Sequence, residues 1–122
     1  MFKKSLSDSL KRIRPGLVSH ILLQAGDTST DNLAVAWVTV EPGTGQRPHH
    51  HVSEQAYIVV GGQGRIKVGP YIADVKAGDL VYVPSNAEHA VENIGAESLT
   101  YVSVAVPALD IAAIYDTGQL KR

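Results

Sequence analysis

The chain has no cysteine. Disulfides, thiolate nucleophiles and sulfur metal ligands are thereby excluded, and any metal site has to be built from His, Asp and Glu. An excess of charge of one sign is also missing: 11 Lys and Arg face 12 Asp and Glu, for a formal net charge of −1. Such a balance leaves no electrostatic footprint for nucleic acid. No stretch approaches the roughly 20 consecutive apolar residues of a membrane helix, and no signal-peptide core follows Met1. A soluble, cytoplasmic protein without nucleic-acid or membrane partners is the expectation. Helical periodicity is scarce, and only 108–116 has room for a short helix. With 122 residues the chain can bury one core but not two.

What it has in quantity is short β-type segments between turn residues. Leu17–Leu23, Leu33–Val40, Gln55–Val60, Arg65–Val68, Tyr71–Val75, Leu80–Val83, a run through His89 and Val91, and Leu99–Val106 are apolar, β-branched or alternating. Pro15-Gly16, the polar stretch 25–32, Gly61–Gly64, Gly69-Pro70, Lys76–Asp79 and Pro84–Asn86 punctuate them. Strands recurring about every 8–12 residues with such turns predict an antiparallel, all-β sandwich or barrel. The domain reading is a polar lead-in over 1–16, a barrel over 17–107, and a C-terminal tail over 108–122. His20, inside the first strand, has no ligand-type neighbour at useful spacing and reads as a structural or surface residue.

Three of the five histidines fall in one run, Pro48-His49-His50-His51-Val52-Ser53-Glu54. Imidazole nitrogens and a carboxylate oxygen form a mixed N/O set that suits divalent transition metals. A solvated loop that binds metal only adventitiously is the plain alternative. Along a strand, side chains alternate faces, so His49 and His51 share one face, while His50 shares the other with Glu54. Two ligand sets follow. If the chain breaks at Val52-Ser53, Glu54 starts a new strand with its own phase and can join His49 and His51. If it runs unbroken, His50 and Glu54 pair and, with a distant histidine, form a two-histidine, one-carboxylate triad.

A second constellation follows: Gly78, five residues, Pro84, one residue, Asn86, two residues, His89, three residues, Asn93. With Gly43, five residues, His49, one residue, His51, then Glu54, six residues and Gly61, it resembles the paired signature motifs of the cupin superfamily. The two motifs are in the family's order and cover Gly43 to Asn93. Two departures are visible. Asn86 stands where the family has glycine, although asparagine also tolerates the left-handed conformation. The spacing from His51 to Glu54 is one residue shorter than the family's common pattern.

The resemblance implies a double-stranded β-helix, or jelly-roll barrel, with one divalent transition metal ion per chain (zinc, iron, manganese or nickel). His49, His51, Glu54 and His89 would be its ligands, with His50 as the alternative first-motif ligand. Four ligands on an octahedral ion leave positions open for a small molecule. Trp37, Gln46, Tyr57 and Arg65 are the residues expected to line the cavity, against a core role for Trp37 and an outward or structural one for Tyr57 and Arg65. Two functions stay open: a metal-dependent enzyme of the dioxygenase, isomerase or lyase type, and a non-catalytic cupin that binds or senses a small ligand. Leu17–Leu23 and Leu99–Val106 carry more apolar surface than one small barrel needs, so a homodimer is expected, with the lead-in packing at its interface.

Overall fold

Alternating burial turns these segments into sheets. Among the described residues ten strands are present: β1 Leu10–Arg14, β2 Leu17–Leu23, β3 Ala34–Val40, β4 Gly45–His49, β5 Glu54–Gly61, β6 Gln63–Val68, β7 Tyr71–Lys76, β8 Leu80–Val83, β9 His89–Glu92 and β10 Leu99–Val106, followed by one short helix, α1 Ile111–Asp116. The structure is a computed structural model describing residues 1–29 and 31–116. Residue 30 of the predicted loop and residues 117–122 of the predicted tail lie outside the described residues.

In β3, Ala34, Ala36, Val38 and Val40 are buried, and the residues between them are half-buried on the other face. β10 repeats the pattern with Leu99, Tyr101, Ser103 and Ala105. The strands assemble into a six-stranded sheet of order β1-β2-β3-β10-β5-β8 and a four-stranded sheet of order β4-β9-β6-β7, every pair antiparallel. β10 lies between β3 and β5, and β9 between β4 and β6, so the chain passes repeatedly from one sheet to the other. This is the antiparallel jelly roll. Leu17, Val38, Val40, Tyr57, Val59, Leu99 and Tyr101 of the larger sheet pack in one core with Ile66, Val75 and Val91 of the smaller.

Two residues fasten the sheets. Buried Asn93 donates through Nδ2 to the carbonyls of Val40 and Glu97, both at 2.8 Å, and its Oδ1 accepts from the Gly95 amide at 2.8 Å. Gly62, between β5 and β6, has φ +77° and sits where a Cβ would collide with the Ser98 carbonyl. Only glycine suits both demands.

The lead-in is more ordered than its polarity suggests: within it, β1 pairs along β2 from Leu10↔Ile21 to Arg14↔Leu17. Its sequence, Leu-Lys-Arg-Ile-Arg, has no apolar alternation to announce a strand, and both Leu10 and Ile13 are exposed. Among the described residues, no helix is long and apolar enough to cross a membrane.

Candidate metal centre

β4 and β9 are neighbours in the smaller sheet, and His49 and His89 are register partners across them. Their rings therefore stand side by side, with centroids 4.2 Å apart. β4 ends at His49 and β5 begins at Glu54, so the chain does break over 50–53, and His51 comes from this loop. The loop is held by the turn of the second motif. Asn86, at φ 63°, donates its amide to the His51 carbonyl at 2.8 Å, and Ser85 Oγ donates to the carbonyl of Val52. Ser53 Oγ donates to the Pro107 carbonyl at 2.6 Å. The His51 ring thus comes to rest 4.8 Å from that of His89.

All three histidines anchor Nδ1 on a backbone carbonyl: His49 on Arg47 at 2.9 Å, His51 on Ser53 at 2.8 Å, and His89 on Ala87 at 2.9 Å. A carbonyl only accepts, so Nδ1 carries the proton and Nε2 of the neutral ring is a lone pair. One ring nitrogen from each residue lies within 4.8 Å of the others. His89 is 1 % exposed, and its Nε2 is buried without a hydrogen-bond partner. Burial, followed by the neighbouring His49 and His51, lowers the His89 pKa to about 4. Burial, and then His51 and His50, also lower that of His49. Neutral imidazoles with fixed tautomers are the form in which histidine ligates a metal. The buried bare nitrogen of His89 is what a cation there would satisfy.

Glu54 does not join this group. It is exposed on the outer face of the larger sheet, where its carboxylate accepts from the Tyr82 hydroxyl at 3.0 Å. The new strand has its own phase, but that phase sends Gln55, Tyr57 and Val59 inward and Glu54 and Ile58 outward. Gln55, 7 % exposed, occupies the position expected for the carboxylate, with Oε1 3.0 Å from His51 Nε2. The motif spacing carried this signal: restoring the family's common spacing after His51 lands on Gln55 and then on Gly62. His50 is exposed and stands outside the histidine group.

Gln46 and Tyr57 do reach a small inner cavity of about 30 Å³, together with Ser19, His49, Gln55 and Ser103. Leu109, Ile111 and Ile114 of the C-terminal segment also line this cavity, which has room for a water molecule or two. Gln46 Oε1 is buried without a hydrogen-bond partner. Trp37 and Arg65 lie elsewhere. Trp37 has the parity opposite to inward Ala36 and Val38, and faces the outside of the larger sheet. Arg65 pairs with Asp74 at 2.8 Å on the outside of the smaller sheet. A wider groove of about 520 Å³ runs there past Arg47, Arg65, Lys67 and Glu92, but none of the three clustered histidines lines it. His20 contacts Ser9 Oγ at 3.0 Å, away from the cluster.

The family model described as "Cupin domain" matches residues 36–105. An uncharacterised protein of Methanocaldococcus jannaschii is 33 % identical over 58 residues, which are 48 % of this chain and 46 % of that protein, so the match spans about half the length of each. Among solved structures, an RmlC-like cupin from Shewanella frigidimarina superposes with a TM-score of 0.76 at 20 % identity, covering 90 % of this chain and 94 % of that one. A mutant of Bacillus subtilis oxalate decarboxylase gives a TM-score of 0.82 at 24 % identity, over 91 % of this chain but 31 % of that one. At such identities the likeness is one of fold.

Proposed function

The chain belongs to the cupin domain family, and from that premise we propose that it is a metal-dependent enzyme acting on a small molecule inside the barrel. His49, His51 and His89 hold one divalent transition ion per chain, of zinc, iron, manganese or nickel. The observation that carries this reading is the buried, partnerless Nε2 of His89, aimed among two other imidazoles whose Nδ1 protons are already committed. When bound, such an ion supplies Lewis acidity, or dioxygen chemistry if it is iron. The side chains themselves orient and enclose. Tyr57 and Ser103 hold the Gln55 amide, while Leu109, Ile111 and Ile114 supply an apolar wall. No carboxylate lines the inner cavity among the described residues, which favours metal-driven chemistry of the dioxygenase, isomerase or lyase type over a side-chain acid–base pair.

The alternative function, a non-catalytic cupin that binds or senses a small ligand, uses the same three histidines. Two copies of the chain are taken to associate through the outer face of the larger sheet. Isothermal titration of chelator-stripped, tag-free protein tests the metal reading: one equivalent of Mn(II), Ni(II) or Zn(II) per chain is expected, and no saturable uptake of any of these or of Fe(II) overturns it.

A further inference from the structure

We propose that the groove on the outer face of the smaller sheet is a binding site separate from the histidine centre, for a small molecule that joins one carboxylate to an apolar body. None of the three clustered histidines lines this groove, so the site is as complete in the metal-free chain as in the loaded one.

The site follows from strand register. In β6, Gly64 and Ile66 are buried, while Arg65 and Lys67 are exposed on the outer face. Two rows of side chains therefore cross that face. One runs Glu92, Arg65, Asp74, with the cation opposite both acids, and Arg65 Nε donates to Asp74 Oδ1 at 2.8 Å. Alternating signs let this row satisfy itself. The other runs Ala90, Lys67, Ile72, so the ammonium stands between two side chains that cannot take its charge. Arg47, exposed on β4 beside Pro48, brings a second cation to the groove. Among the described residues neither Arg47 nor Lys67 makes an ion pair or a side-chain hydrogen bond. Strand β9 lies between β4 and β6, so the two cations flank Ala90, a side chain too short to fill the space between them.

Charge and shape then select the ligand. Unpaired cations lining one groove favour an anion, and the guanidinium fork matches a carboxylate bidentately. Arg47, Arg65 and Lys67 stand against Glu92 and Asp74, which leaves one positive charge in excess. One carboxylate neutralises it, and a dianion would not be matched. The rest of the lining is apolar: Pro48 and Ile72, the latter 63 % exposed, are uncovered. An apolar body attached to the carboxylate would cover them. The groove has about 520 Å³, within the range of small-molecule sites. A second groove of about 430 Å³, lined by Gly62, Gln63, Gly95, Ala96 and Glu97, has similar room but no cation, so nothing there calls for an anion.

The test uses the full-length, chelator-stripped chain at neutral pH, with naphthoate as the probe and backbone amide NMR shifts as the readout. Saturable shifts centred on Arg47, Lys67, Ala90 and Ile72 are expected, with the amides of His51 and Gln55 unmoved. Lys67→Glu and Arg47→Glu should each weaken binding about tenfold, and Ile72→Ser about threefold. All three side chains are exposed, so the variants should fold. Lys11→Glu, the same charge change on the other sheet, should keep the affinity within about twofold. Absence of saturable shifts, shifts centred on His51 and Gln55, equal losses in Lys11→Glu and Lys67→Glu, or tighter binding of inorganic phosphate than of naphthoate would each overturn the inference. None of these results would touch the metal reading.

Discussion

A buried ring nitrogen without a partner makes His89 the residue on which the site turns. His89→Ala deletes that nitrogen and leaves the sheets joined by Asn93, so the variant should fold and lose at least tenfold in metal affinity. The same burial makes a prediction for the metal-stripped protein. Its folded pKa of about 4 lies below the ordinary 6.5, so between these values the unfolded chain binds a proton that the folded chain refuses. Stability therefore falls as pH drops from about 6.5 towards 4 and levels off below, by at most about 3 kcal/mol from this residue. Urea denaturation of wild type and His89→Gln over that window checks it: the wild type should show the steeper loss, and parallel curves would contradict the assignment. At this scale the sequence was legible for the grouping of His49, His51 and His89, because the paired motifs place an H-x-H pair and a distant histidine on segments that the barrel brings together. It misled at Glu54, since a carboxylate is the stronger ligand by type. The choice between Glu54 and Gln55 is made by strand phase, which a one-residue shift reverses.

The elements were readable where one face is apolar. β3 and β10 announce themselves by alternation, whereas β1 hides behind Lys11, Arg12 and Arg14. Trp37 shows the reverse failure, because a large aromatic suggests an interior position and only the register of β3 places it outside. The turn between β5 and β6 offers a sharp check on strand phase. At Gly62 the positive φ and the collision with the Ser98 carbonyl act together, so Gly62→Ala should cost about 2–4 kcal/mol. Gly61, where an added Cβ would meet Thr100 Cβ at an ordinary 3.9 Å, should tolerate alanine within about 1 kcal/mol. Asn93→Ala strands the Val40 carbonyl in a buried site and the Glu97 carbonyl and Gly95 amide in part-buried ones, and about 2–4 kcal/mol should be lost. Denaturant midpoints with unchanged slopes would measure all three; equal losses at Gly61 and Gly62 would contradict the phase that turns Gln55 inward.

For the molecule as a whole, the jelly roll leaves an exposed apolar row on the outer face of the larger sheet: Ile58, Val60, Leu80 at 62 % exposure and Tyr82 at 53 %. Edge strand β8 carries the last two. Such a face and edge invite a second copy. Sedimentation at micromolar concentration should give twice the 13.0 kDa of one chain, with Leu80→Glu shifting the protein towards monomer; a monomeric wild type would remove the proposal. The central claim is the site itself, and metal content after purification without a histidine tag tests it most directly. Alanine variants at 49, 50, 51, 54 and 89 should be compared with wild type by elemental analysis. About one divalent ion per chain in wild type, lost in the variants at 49, 51 and 89 and retained in those at 50 and 54, is the predicted result. Full occupancy in His89→Ala, or loss on replacing His50 or Glu54, would contradict it.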